Sequence, residues 1–369
     1  GVDALHRQRL GLGGAVIGGA QKRQAGNRQA GVVLGLPVHG GAVKGVCMAA
    51  EQWPATYIMV GDRRRIEQIA AEAGLDIRRF DIVHTESYMT MEDDPLSVVR
   101  AKGDSSMAVG LRMLAEGKGD AFVSSGNTGA LFTGATLIVR KVKGILRAGI
   151  GTVLPFQNPV LLLDTGANVT VTPENLEQFG AMGSAYMRKM YGIARPRVGL
   201  LNNGTEACKG TELQQAAYRL LSANEEINFV GNVEGGTAPF DVCDVLVADG
   251  FTGNIYLKCV EGIGKFLLKR VKGVFLSSTP AKLAALALKK PLYEMKKEYD
   301  PSERGGAPIL GISKPVIKAH GSSDDRAIMN AIRQAMDYKH SEAIYDLADS
   351  ARAFAERKRA EREKEKSEN

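Results

Sequence analysis

The feature that most restricts the fold is an alternation that begins near residue 46, where short apolar, β-rich runs take turns with stretches of helical period. Thr56–Val60, Asp81–Val83, Ala121–Val123, Val160–Leu163, Val198–Leu201, Asn228–Val230 and Val245–Val247 read as buried strands. Helical patterns at 63–73, 95–116, 173–191 and 208–223 lie between them, the first behind Asp62, a fair N-cap. Continuous apolar strands spaced by helices predict an α/β chain, with a mostly parallel sheet covered by helices on both faces. Ligands of such sheets bind at the carboxyl ends of strands, where loops enter helices. The search for chemistry starts at those corners.

Residues 253–298 depart from the alternation. Tyr256, Val260, Ile263, Leu267, Val271 and Val274 repeat at helical spacing, and a second apolar run, Leu283–Leu288, follows Ser277-Ser278-Thr279-Pro280. A cap at Ser278 or Thr279 with Pro280 in the first turn predicts a helical hairpin. Lys265, Lys269, Arg270, Lys272, Lys282, Lys289 and Lys290 surround its apolar stripe. After about residue 351 Glu, Lys and Arg dominate, which predicts a solvated helix or a disordered end.

The net charge of +7 raises the question of nucleic acid. Most of the excess sits in residues 4–50, which hold no acid but carry Arg7, Arg9, Lys22, Arg23, Arg28 and Lys44. The remainder shows no helix-turn-helix, zinc-finger or RNA-binding signature, so no nucleic-acid partner is expected. Cys47, Cys208, Cys243 and Cys259 lack CxxC or metal-ligand spacing and read as reduced thiols. No apolar run approaches the roughly 20 residues of a membrane span. A cytoplasmic protein without cofactor or metal is the expectation.

Several corners carry candidate chemistry. Val123-Ser124-Ser125-Gly126-Asn127-Thr128-Gly129-Ala130 joins a strand to a helical run, and its glycines, hydroxyls and amide suit an anion; an ordinary capped turn is the bland reading. Asp249-Gly250-Phe251-Thr252-Gly253-Asn254 repeats the pattern after another strand. Asn202-Asn203-Gly204-Thr205-Glu206-Ala207-Cys208-Lys209 ends a third, and Lys209 is a candidate for holding a phosphate oxygen or an oxyanion. Lys318-Ala319-His320-Gly321-Ser322-Ser323 follows the β-like run 315–317, with His320 a candidate acid or base. Leu163-Asp164-Thr165-Gly166-Ala167-Asn168 is a further strand end, and Asp104 reads as a helix cap. GxxxxGK[ST], GxSxG, a strand-borne GxGxxG and metal-ligand clusters are all missing, which argues against ATP hydrolysis, a serine acyl-enzyme, dinucleotide chemistry and metal catalysis.

Together these segments resemble the phosphate acyltransferase (PlsX) family of bacterial phospholipid synthesis. The likeness is carried by His84-Thr85-Glu86, Met91-Glu92-Asp93-Asp94-Pro95, Lys102-Gly103-Asp104-Ser105-Ser106-Met107 and Ser125–Ala130. It continues through Leu163–Asn168, Arg197–Asn202, Gly231-Asn232-Val233-Glu234, Asp249–Asn254, Gly305-Gly306-Ala307-Pro308, Gly311 and Lys318–Ser323. It runs in order from about residue 43 to 335. The resemblance implies a doubly wound, three-layer α/β/α fold with the hairpin protruding. It also implies a homodimer and the reversible reaction of acyl-ACP with inorganic phosphate to give acyl phosphate and acyl carrier protein. The product would feed a membrane glycerol-3-phosphate acyltransferase, and the hairpin at 253–298 would meet an anionic membrane surface, serve the dimer, or do both. His320, Lys209 and Asn127 are the expected catalytic residues. Ser125, Gly126, Thr128, Asp164, Asn168, Asp249, Thr252, Gly253, Asn254, Lys318 and Ser322 are the expected ligands of phosphate and acyl-ACP.

The chain departs from the family at its start. Family members open on a strand ending in an Asp-Ala-Met-Gly-Gly-Asp turn. Val2-Asp3-Ala4 begins that way, Leu5-His6-Arg7-Gln8 follows, and agreement returns near Val43-Lys44-Gly45. A shifted reading frame is the preferred account and a transit-like leader the other; the coding DNA decides. The expected organisation is therefore an anomalous segment at 1–42, the α/β domain at 43–345 and a charged tail at 346–369. Rival functions are a phosphotransacetylase-like acyl-CoA:phosphate transferase, a non-catalytic membrane-bound scaffold and, more distantly, an NAD-dependent dehydrogenase.

Overall fold

The computed structural model describes residues 31–35, 40–156, 158–298, 303, 305–320 and 323–368. The departure at Val2–Gln8 and the site candidate Ser322 lie outside them. Among the described residues eleven strands form one mixed, mostly parallel sheet. One half consists of β3 (Asp81–His84), β2 (Thr56–Gly61), β1 (Gly31–Gly35), β4 (Ala121–Ser124) and β11 (Val316–Lys318), in that order and all parallel. The other half, β6 (Pro159–Leu163), β9 (Val245–Val247), β7 (Arg197–Asn202) and β8 (Asn228–Glu234), is again parallel within itself. Between them stand β10 (Ala307–Leu310) and β5 (Gly149–Pro155). The pairings β11–β10, β10–β5 and β5–β6 are antiparallel. Three reversals leave β6 and β9 running opposite to β4 and β11.

Side chains alternate across the sheet and build a core on each face. Val32, Leu34, Tyr57, Met59, Ala121, Val123 and Ile317 face the larger cluster. There they meet α1 (Gly40–Gln52), α2 (Arg63–Glu72), α5 (Pro173–Tyr191), α6 (Glu212–Ala223), α10 (Asp325–His340) and α11 (Ala343–Glu368). Val33, Ile58, Val60, Phe122 and Val316 face the opposite way, against α3 (Ser106–Ala115) and α4 (Thr128–Gly134). Leu162, Leu246 and Val160 build a third cluster with Leu257 of α7 (Gly250–Leu276). Helices thus cover both faces, the three-layer α/β arrangement that the alternation predicts.

Every strand read from the sequence is present. Three more, β1, β5 and β10, were not read, and β1 lies deep in the parallel half of the sheet. Its five residues are all buried, and it pairs with β2 and β4. It lies inside the stretch read as anomalous, where a short Val-Val-Leu run between glycines carries no periodic signal. The predicted helix at 95–116 is divided. A 3₁₀ turn at Pro95–Val99, capped by Asp94, precedes α3, and the α3 cap is Ser105 rather than Asp104. The hydroxyl of Ser105 accepts from the Ala108 N–H, whereas the Asp104 carbonyl accepts from Thr85 Oγ1. The helix read at 208–223 starts at Glu212, where Thr211 and Gln214 form a capping box.

The predicted hairpin is three helices: α7, α8 (Thr279–Ala287) and α9 (Lys289–Glu298). Ser278 caps α8 with Pro280 in its first turn, and a break at Leu288 separates α9. The charged C-terminal stretch belongs to α11, which buries Leu347, Ala351 and Phe354 before its surface turns polar. Buried Glu177 of α5 holds Arg357 of α11.

Candidate active site

The corner after β4 is built by short-range hydrogen bonding. Ser124 Oγ donates to the Gly35 carbonyl at 2.6 Å and accepts from the Gly126 N–H at 3.2 Å, which fixes the turn. Asn127 caps α4, its Oδ1 accepting from the Ala130 N–H at 3.0 Å. Its Nδ2 donates to the carbonyls of Thr90, Met91 and Asp93 at 3.0–3.3 Å. The whole amide is thereby occupied in tying the loop Tyr88–Asp94 to the corner. Thr128 is exposed at the start of α4.

β11 lies beside β4 in register, Lys318 opposite Ser124, and the Ala319 N–H donates to the Ser124 carbonyl at 2.8 Å. Pairing of two parallel strands therefore brings the 125–128 and 318–320 corners together. Lys318 is 9% exposed. Its ammonium donates to the Ala319 carbonyl and reaches the Ser125 carbonyl at 3.5 Å. No carboxylate pairs with it among the described residues, and burial pushes the amine down to about 8. Two buried hydroxyls at this corner, Ser125 Oγ and Ser323 Oγ, have no hydrogen-bond partner among the described residues. The Ser323 N–H donates to the His320 carbonyl and closes the turn.

His320 stands at the rim, exposed. Partial burial first, then the charges of Lys318, Lys258 and Lys265, hold its imidazole below its ordinary value, against an opposing pull from Glu261. Lys258, Glu261 and Lys265 all belong to α7, which brings that helix to the rim.

A small cavity of about 10 Å³, room for a single water, adjoins the corner, lined by Gly35, Tyr88, Met89, Ser106, Met107 and the Ser124–Gly126 turn. A Cβ at Gly126 would stand 2.8 Å from Met107 Cε, so a larger residue there would push the end of that side chain aside.

A second group gathers at the ends of β6 and β9. Asp164 is fully buried and accepts from the N–H groups of Ile150, Gly166, Ala167 and Asn168 and from Asn168 Nδ2 at 2.7–3.2 Å. Asn168 Nδ2 also donates to the Ala148 carbonyl. Asp249 caps α7, accepting from the Phe251 and Thr252 N–H groups and from Thr252 Oγ1. Gly253 packs so closely on this loop that a Cβ would lie 1.9 Å from the Asp164 carbonyl oxygen. The next residue, Asn254, stands beside Gly166.

The strand-end corners thus fall into two groups. β6 and β9 end at the edge of the sheet opposite to the ends of β4 and β11, because of the three antiparallel pairings between them. α7 runs back from the second group and passes the rim at His320. Lys209 is placed elsewhere. It follows β7, with five strands between that strand and β4, and its ammonium stands 4.0 Å from Glu206 with its side chain half exposed.

Sequence reasoning passed over Ser323 as an individual ligand; it lies inside the Lys318–Ser323 motif that carried the family likeness, and only burial singled it out. Among the described residues no group of three or more His, Cys, Asp or Glu side chains is placed to hold a metal ion.

Comparison with known proteins agrees with this frame. The family model described as "Fatty acid synthesis protein" matches residues 38–345. A phosphate acyltransferase of Acetivibrio thermocellus is 45% identical over 288 residues, covering 78% of this chain and 85% of the relative. One from Shouchella clausii is 46% identical over 269 residues, covering 72% and 82%. Among solved structures, a phosphotransacetylase from Streptococcus pyogenes superposes with a TM-score of 0.59 at 16% identity, covering 86% of this chain and 94% of its own; that likeness concerns the fold. With a family model over most of its length and relatives this similar, the chain belongs to the phosphate acyltransferase family.

Proposed function

We propose that this protein transfers a fatty acyl group from acyl carrier protein to inorganic phosphate. The observation that carries the reading is Lys318, a buried lysine without a carboxylate partner among the described residues, beside two buried hydroxyls that also lack partners there. A buried cation normally brings its counter-ion with it. Here a bound phosphate supplies the negative charge and the acceptor oxygens that Lys318, Ser125 and Ser323 lack.

The chemistry needs no nucleophile from the protein. A phosphate oxygen attacks the thioester carbonyl carbon, a C–O bond forms and the carbonyl electrons move onto oxygen. Collapse of the tetrahedral species breaks the C–S bond, and the thiolate leaves with its electron pair. The protein desolvates and orients phosphate and stabilises the oxyanion. Lys318 and Ser125, with the corner from Gly126 to Thr128 and Ser322, hold phosphate. His320, held neutral near pH 7 at the rim, accepts or returns a proton. Asp164, Asn168, Asp249, Thr252, Gly253 and Asn254 shape the second corner, from which α7 reaches the rim. Lys209, on the far side of the sheet, suits contact with the carrier protein better than contact with phosphate.

The segment 250–298 carries ten Lys and Arg against three Glu. Ile263, Phe266, Leu267, Val274, Leu283 and Leu286 are exposed on it. That combination suits an anionic membrane surface or a second copy of the chain, and it would bring acyl phosphate to a membrane glycerol-3-phosphate acyltransferase. No helix among the described residues is long and apolar enough to cross a membrane.

The test incubates purified protein with palmitoyl-ACP and follows release of the carrier thiol with and without phosphate, trapping acyl phosphate with hydroxylamine. Phosphate-dependent thiol release is expected, faster than with palmitoyl-CoA. Release from palmitoyl-CoA alone would transfer the reading to a phosphotransacetylase-like enzyme, and no release from either would end it.

A further inference from the structure

α7 leaves the second corner and passes the rim of the first, and its charged and apolar residues lie on different sides of it. Lys258, Glu261, Lys265, Lys269 and Lys272 follow one another in steps of three or four residues, which puts them on one face of an α-helix. Ile263, Leu267, Val271 and Val274 take the same steps on the opposite side, each at least 37% exposed. Lys258 pairs with Glu261 at 2.8 Å. Lys265, Lys269 and Lys272 are exposed and carry no ion pair among the described residues.

The basic stripe starts at the site. His320 is exposed at the rim, and three of the charges that act on it, Lys258, Glu261 and Lys265, belong to this stripe. Lys269 and Lys272 continue it along the helix. A thioester donor carried on a protein has to set that protein down beside the corner, with its bulk outside. A row of unpaired ammonium groups leading to the rim fits an acidic protein face, and opposite charges steer the encounter. A bilayer fits the other side of the helix. A helix that lays its apolar face on a membrane turns its basic face to water, so the two sides of α7 do not compete for one partner.

We propose that the Lys265–Lys269–Lys272 face of α7 is the docking surface for the acyl carrier protein, engaged through an acidic face of that protein so that its thioester enters past His320. The inference rests on the reading of the Ser125–Lys318 corner as the phosphate seat of an acyl-ACP enzyme, and adds where the donor is held.

Steady-state release of the carrier thiol by the full chain, with palmitoyl-ACP and phosphate and without vesicles, tests it. Lys269→Glu/Lys272→Glu should raise the KM for palmitoyl-ACP by about tenfold or more and leave kcat and the KM for phosphate as in wild type. Arg270→Glu/Lys290→Glu makes the same change of charge off the stripe and should leave all three values as in wild type. Added salt should raise the wild-type KM for palmitoyl-ACP and change that of the stripe variant little. An unchanged KM in the stripe variant, a fall in its kcat, equal losses in both double variants, or a loss confined to Lys209→Glu overturns the docking surface while wild-type turnover keeps the phosphate seat standing. The same holds if the stripe variant loses only its binding to phosphatidylglycerol vesicles, which would give the stripe to a membrane. A wild type without phosphate-dependent thiol release overturns both readings.

Discussion

Replacing Lys318 by methionine separates the cost of this residue from its use. The fall of its amine from the ordinary 10.5 to about 8, at about 1.4 kcal/mol for each pKa unit, means that holding the charge inside the empty corner costs about 3 kcal/mol at pH 7. Methionine removes that cost. It also removes the hydrogen bonds to the Ser125 and Ala319 carbonyls, each worth about 1 kcal/mol. The phosphate-free variant should therefore be more stable than wild type by about 1 kcal/mol, with a melting temperature higher by about 1 °C. Phosphate at a hundredfold excess over its dissociation constant should stabilise the wild type by about 2.7 kcal/mol and the variant not at all. The pH dependence adds a check. Between pH 8 and 10.5 the unfolded chain holds the Lys318 proton and the folded chain does not, so the lysine's cost fades as pH rises. The advantage of Lys318→Met should shrink over that window. Melting curves with and without phosphate at pH 7 and pH 10 measure all of this. A variant that melts below wild type without phosphate, yet gains as much from phosphate, would refute the assignment.

Asp164→Asn should lower the urea midpoint by an amount equivalent to about 2–3 kcal/mol, because an amide turns hydrogens toward donors that the carboxylate now satisfies; an unchanged midpoint would mean the loop can rebuild without the carboxylate. Gly253→Ala puts a methyl group 1.9 Å from the Asp164 carbonyl and should destabilise by more than about 2 kcal/mol, or move α7 off the second corner, as amide exchange at Thr165–Asn168 would report. His320 is held below its ordinary 6.5, so the unfolded chain takes up its proton first as pH falls below 6.5 and stability declines there. His320→Gln should lack that decline in melts from pH 7 to pH 5.

The strands were legible because burial on both faces requires unbroken apolar runs, as in Leu161–Leu163 and Val245–Val247. β1 was hidden by its shortness and by the stretch around it. Caps were legible where side chain and backbone lie within three residues, as at Asp62 and Ser278. The residues of the site were legible as motifs, but their partners were not. The amide of Asn127 spans about 36 positions to Met91 and Lys318 meets Ser125 across 193, distances over which local pattern carries no information.

The order of residues by itself determined the α/β class, the strand-end corners and the family, since each follows from local periodicity or from contiguous motifs. Tertiary structure decided which corners meet. Strand direction across β10 and β5 is a property of pairing between distant segments, and it sets the β4 and β11 corners together while turning the β6 and β9 corners to the opposite edge. It also decided which polar groups remain unspent. The hydrogens of Asn127 and the carboxylate of Asp164 are consumed by backbone brought to them in folding, whereas Lys318, Ser125 and Ser323 are buried where no acid among the described residues was brought alongside.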